Sequence, residues 1–219
     1  MRPEKYLCGE RAFEARDKIN CSEPSRQIPA SSISVISQHR SIRCVLYIGE
    51  NISMDVQIIA MQEKHLDGVL EIERGSFVSP WSKNLFCHEL STHISRSFVA
   101  RVREADIQNV AGYMCSWIIH EECNILKFAC HPQYRRQGIG RLLLRHGLQD
   151  AGRIGARIAS LEVRPSNTGA LLFYAACGFV RAGVRKGYYQ ETAEDAVIME
   201  MELAEHREPR SVSRQEEMV

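Results

Sequence analysis

The chain has 219 residues, 44% hydrophobic and 25% charged, which is enough for one globular domain of about 150 residues with sequence to spare. With 28 basic against 27 acidic side chains the net charge is +1, so there is no general electrostatic reason to expect direct nucleic-acid binding or membrane binding. Eight cysteines are scattered without a Cys-x-x-Cys pair; metal-ligand spacing is absent, and they read as small buried hydrophobes in a reducing compartment, by default the cytoplasm.

Residues 1–53 lack sustained periodicity and include a Ser/Pro/Gln-rich stretch at 22–37, so they read as an extension without a fixed fold, with Met54 as an alternative start. The N-terminus alternates Arg2, Lys5 and Arg11 with Glu4, Glu10 and Glu14 and lacks the apolar segment of a secretory signal. Residues 42–48 contain charge and fall far short of the roughly 20 apolar residues of a membrane helix.

A compact domain is expected over 54–203. Residues 56–60 read as a strand, and Leu66, Val69, Leu70 and Ile72 as the buried side of a helix. Pro80-Trp81-Ser82 opens a second helix, with Ser82 as N-cap and Leu85, Phe86 and Leu90 facing inward. Three strands follow at 97–103, 111–120 and 124–130, in the manner of an antiparallel meander. A leucine-rich helix from about Leu142 to Ala151 comes next, then a strand at 157–163, a helix at 167–177 closed by Gly178, and a hairpin of 180–187 with 195–203. The polar tail 204–219 reads as frayed. The order predicts an α/β (α+β) fold with a mixed, mostly antiparallel central sheet flanked by helices.

Arg135-Arg136-Gln137-Gly138-Ile139-Gly140 lies between an apolar strand and a helix. Gly138 and Gly140 carry no Cβ, so backbone amides can approach a ligand closely, and the first turn of the helix, which continues through Arg141, leaves N–H groups and a partial positive charge for an anion. The spacing matches neither the dinucleotide fingerprint nor the nucleotide P-loop. It does resemble the acetyl-CoA pyrophosphate loop of the GNAT superfamily of N-acetyltransferases, and the order of predicted elements is also that of the GNAT fold.

A second constellation is more specific. Leu161-Glu162-Val163-Arg164-Pro165-Ser166-Asn167, followed by Leu171-Leu172-Phe173-Tyr174 and Cys177-Gly178-Phe179, resembles the ribosomal-protein-alanine N-acetyltransferase (RimI) group of that superfamily. Pro80-Trp81-Ser82, Tyr188-Tyr189 and Glu194–Met199 look like that group too, and the likeness covers about 54–203.

Strand alternation puts Glu162 on the opposite face from Leu161 and Val163, where a glutamate on its own reads as solvated or salt-bridged. The resemblance implies instead the general base that takes a proton from the attacking amine, directly or through water. Tyr174 by itself reads as a core ring beside Leu171, Phe173 and Phe179, and by resemblance is the acid that protonates the departing CoA thiolate. Asn167 caps a helix on any reading, with a contact to the CoA arm added by resemblance. Phe128, Ala129 and Cys130 are expected to face acetyl-pantetheine through their backbone, with amides polarising the thioester carbonyl while the side chains of 127–130 merely fill the strand. A thiol at Cys130 would then lie close enough to the thioester to invite modification. Trp81 is split evenly between a core anchor and the acceptor wall. Tyr188 and Tyr189 are adjacent, so only one can face the core.

The implied reaction is direct transfer of acetyl from acetyl-CoA, without a metal, to a protein N-terminal amine such as the alanine of the small-subunit ribosomal protein bS18. Neutral amine at pH 7 costs about 1 kcal/mol for an α-amino group and roughly 4–5 for a lysine, so one carboxylate of ordinary tuning suits the first better. Two other readings share the cofactor loop: an acetyltransferase for small amines such as polyamines or antibiotics, and a non-catalytic CoA-binding module. The oligomeric state stays open.

Overall fold

A computed structural model of the chain describes residues 34–38, 41–48, 52–104 and 107–203. The predicted tail at 204–219 and the first 33 residues lie outside the described residues. The frame is a nine-stranded sheet with strand order β1-β2-β3-β4-β5-β6-β7-β9-β8. Its strands are β1 (Ser34–Gln38), β2 (Ser41–Ile48), β3 (Ile52–Ala60), β4 (Ser95–Glu104), β5 (Ile107–Ile119), β6 (Glu122–Cys130), β7 (Ile158–Val163), β8 (Val180–Tyr189) and β9 (Glu194–Glu202). Every neighbouring pair is antiparallel except β6 with β7. The four α-helices are α1 (Leu66–Ser76), α2 (Lys83–Ser91), α3 (Ile139–Arg153) and α4 (Thr168–Ala176).

Two apolar clusters sandwich the sheet. One gathers Phe98, Ala100 and Val102 of β4 with Leu143, Leu144 and Leu148 of α3 and Tyr174 of α4. The other gathers Val99 of β4 and Tyr113 of β5 with Leu66, Val69 and Ile72 of α1 and Phe86 of α2. The alternation of Phe98, Val99 and Ala100 between the clusters is the period-two pattern of a strand buried on both faces. Ser82 caps α2 by accepting from the Leu85 N–H, Asn167 caps α4 by accepting from the Ala170 N–H, and Gly178, at φ 103°, ends α4 in the left-handed conformation.

The segment expected to be an extension without a fixed fold contributes two strands. Ile42, Cys44 and Leu46 are buried, and their register partners on β3 are Ile58, Val56 and Met54. The cause is legible in hindsight: Ile42, Cys44 and Leu46 alternate with Arg43 and Val45, so the segment has one apolar face that continues the surface under α3. β3 correspondingly starts at Ile52, before the expected Val56.

Candidate active site in the crevice between β6 and β7

β6 and β7 pair over four positions, Glu122–Ile125 against Ile158–Leu161, and then part. The β5–β6 register slips by one between Cys115 and Ser116, which makes Leu126 an extra residue in β6 at the point of separation. A bulge of this kind bends its strand and re-aims the side chains beyond it. From Lys127 onward β6 keeps a strand neighbour on the β5 side, while on its other side a cavity of about 550 Å³ opens between it and Glu162 and Val163 of β7.

This cavity gathers most of the predicted site. Phe128, Ala129 and Cys130 form one wall; Arg135, Arg136, Gly138, Gly140 and Arg141 form one end; Glu162, Asn167, Tyr174 and Tyr189 complete it. Four predicted residues are not on its wall. Trp81 is a core ring packed edge-on against Phe86. Ile139, the first residue of α3, is fully buried in the core. Gln137 turns away and donates to the Gln133 carbonyl at 2.8 Å, and Tyr188 sits beneath the guanidinium of Arg185.

Residues 135–141 have the geometry of an anion cradle. Arg136 and Gly138 take left-handed backbone, φ 62° and 86°, and curl the loop into the start of α3. The first α3 N–H returned to the helix ladder is that of Leu142, which donates to the Gly138 carbonyl, so the N–H groups just before it are those that helix geometry leaves for a ligand. At Gly140 a Cβ would lie 3.3 Å from Cys130 Sγ and 3.6 Å from the Phe128 ring, so glycine is what lets α3 start this close to β6. Arg135 has another employment: its guanidinium donates to the Cys130 carbonyl (2.9 Å) and to Ser76 Oγ (3.2 Å), lashing the loop to β6 and α1.

Glu162 is half-buried. Burial pushes its carboxyl above the ordinary range, and the Arg185 guanidinium, with Nη1 2.9 Å from Oε1, opposes that rise. Tyr174 combines both of its expected placements: its ring packs against Phe128, Phe173 and Phe179 at centroid distances of 6.1, 5.3 and 5.7 Å, yet it also lines the cavity. The turn after β7 is tied to the hairpin by Glu194, which accepts from the Ser166 N–H (3.1 Å) and hydroxyl (3.0 Å) and pairs with Arg164 at 3.4 Å.

The side chains of 127–130 are more than strand filler. Lys127 and Glu73 are both 0% exposed and meet at 2.8 Å, with Lys127 Nζ 3.8 Å from the centre of the Phe77 ring. Glu73 also accepts from the Trp81 N–H at 2.7 Å and from the Tyr113 hydroxyl, so a single carboxylate ties α1 to β5, β6 and the chain just before α2. Only part of the signal for Lys127 was present in the strand period: it shares its face with the buried Ala129, whereas the bulge at Leu126 puts Ile125 in the opposite cluster. Glu73, on α1, and Arg185, on β8, gave no local signal of their partners. Cys130 is not poised for reaction: its sulfur is wedged against Gly112 and Gly140, and burial pushes the thiol up to about 12. Among the described residues no cluster of His, Cys, Asp and Glu is arranged to hold a metal, and no helix is long and apolar enough to cross a membrane.

Comparison with known proteins agrees with this geometry. Residues 66–179 match the acetyltransferase (GNAT) family. The chain is 37% identical over 139 residues to a putative [ribosomal protein bS18]-alanine N-acetyltransferase of Bacillus subtilis, covering 64% of this chain and 90% of that protein. It is 44% identical over 146 residues to N-alpha-acetyltransferase RimI of Mycobacterium tuberculosis, covering 66% and 90%. The crystal structure of the ribosomal-protein-S18-alanine N-acetyltransferase from Escherichia coli superposes with a TM-score of 0.60 at 26% identity, over 72% of this chain and 98% of that one.

Proposed function

The chain belongs to the acetyltransferase (GNAT) family and is an acetyl-CoA-dependent N-acetyltransferase, and on that premise we propose that its acceptor is a protein N-terminal α-amino group, that of the alanine of ribosomal protein bS18. The observation that carries this reading is the half-buried carboxylate of Glu162 on the wall of the same crevice whose far end is the 135–141 loop. Supporting it are two relatives whose names specify N-terminal or bS18-alanine acetylation. An acceptor of the ribosome puts the reaction in the cytoplasm.

In this reading the diphosphate of acetyl-CoA sits among the backbone donors at 136–141, and its pantetheine arm runs along Phe128–Cys130, where main-chain amides stabilise the oxygen that gains charge as the amine attacks. Glu162 removes the proton from the attacking nitrogen. Its burial helps, because a carboxyl held above its ordinary range is a better match to an amine near neutral pH. Tyr174 returns a proton to the departing thiolate sulfur, and Asn167 holds the start of α4 against the cofactor arm. Amine and thioester meet in one crevice, so proximity supplies much of the rate and no acyl-enzyme is required. Trp81 supports the acceptor side from within the core, while Tyr189 faces the cavity and Tyr188 packs against Arg185.

The test is Glu162→Gln, assayed with a peptide carrying the bS18 N-terminus and, in parallel, with spermidine. Turnover on the peptide is expected to fall more than about ten-fold with acetyl-CoA affinity nearly unchanged. Equal loss of turnover and cofactor affinity would assign Glu162 a structural role, and preference for spermidine would reassign the acceptor.

A further inference from the structure

The partner of Glu162 comes from two strands away. β9 lies between β7 and β8, and the register rows Glu162–Ile198–Gly183 and, two residues along, Ala196–Arg185 put Arg185 on the same face as Glu162. The intervening side chain at that row is only a methyl, Ala196, so the long arginine reaches across it to the carboxylate at 2.9 Å. Arg185 is 54% exposed, and its guanidinium also stands 5.1 Å from the centre of the Tyr188 ring. It therefore has a second resting place, on the Tyr188 ring, when the carboxylate is engaged elsewhere.

Of the other cations lining the cavity, Arg135, Arg136 and Arg141 stand at the end formed by the 135–141 loop. Arg164 is paired with Glu194 and Lys127 with Glu73, and the phenols Tyr174 and Tyr189 also line the cavity with Glu162. Among the described residues, Arg185 is the ion-pair partner of Glu162. An incoming ammonium needs that same carboxylate oxygen to lose its proton.

Resting on the assignment of Glu162 as base, we propose that Arg185 is its exchangeable counterion: in the free enzyme the guanidinium holds the buried carboxylate ionised, and the acceptor's amine takes its place while Arg185 withdraws onto Tyr188. Arg185 is a positioning residue in this scheme, touching the base and not the substrate.

The experiment compares kcat/KM for the acceptor peptide between wild type, Arg185→Gln and Arg185→Lys from about pH 6 to about pH 8.5. Titration of the substrate amine is common to all three, so the ratio of variant to wild type isolates the enzyme. For Arg185→Gln that ratio is expected to fall about ten-fold from the upper to the lower pH, because the unsupported carboxyl is protonated sooner, and Arg185→Lys restores a flat ratio. A loss equal at every pH overturns the proposal, since a merely structural arginine would give that. Carbon-13 NMR titration of Glu162 in the ligand-free protein reads the pair without reference to turnover. An unmoved titration in Arg185→Gln also overturns the proposal, whereas a titration that moves, together with a fully active Glu162→Gln enzyme, overturns the base assignment alone.

Discussion

The two faces of the sheet are built on different principles. Under α3 and α4 the core is almost wholly apolar, with the imidazole of His146 buried beside it and packed edge-on against Phe98 at 4.8 Å. Under α1 and α2 the core encloses Glu73, Lys127 and Glu89, the last accepting from Trp117 Nε1 at 2.7 Å. The first face carries the helix that presents the anion loop and needs only to be rigid. The second holds the segment from Phe77 to Trp81 beside the crevice by charge, and buried charge tolerates loss of a partner far worse than apolar packing tolerates loss of a methyl.

The contrast can be broken most severely at Lys127. Lys127→Met leaves the Glu73 carboxylate buried without its cation and is expected to cost about 3–5 kcal/mol, read by urea unfolding, while Lys127→Met combined with Glu73→Gln recovers most of that loss. A single variant as stable as wild type would show that the face under α1 and α2 is held by packing after all. Leu46→Ala sharpens the other side of the contrast: if β2 is core under α3, truncating this buried leucine costs about 2–4 kcal/mol, whereas a loosely attached extension would barely register it. The smallest effect is a pH dependence. Burial lowers the pKa of His146, so the unfolded chain binds the proton more readily than the folded one; the stability is complete above the ordinary histidine value near 6.5 and declines as pH falls below it. His146→Leu should flatten the drop in melting temperature between about pH 7.5 and pH 5.5, and an unchanged slope would place the titration elsewhere.

These two faces were unequally legible in the sequence. α3 announces itself through Leu142, Leu143, Leu144 and Leu148, and the caps at Ser82 and Asn167 and the stop at Gly178 are local chemistry that needs no knowledge of the rest of the chain. The placement of Glu162 opposite Leu161 and Val163 follows from strand period alone. What escaped was long-range. Glu73 and Lys127 meet only because α1 lies on β6, and Arg185 meets Glu162 only because β9 inserts between β7 and β8 with an alanine at the crossing row. β1 and β2 escaped for a different reason, since their short alternating run borders a Ser/Pro/Gln-rich stretch whose composition dominated the reading.

Four residue pairs, from Glu122–Ile158 to Ile125–Leu161, are all the backbone ladder that joins the first six strands to the last three. Above this short seam the two halves are held apart by their own separate ladders, so spreading them by a fraction of an ångström at the open end breaks no inter-strand hydrogen bond. Such a fork can grip arms of slightly different girth along its length, and it lets a spent thiol slide out sideways without any element having to unfold.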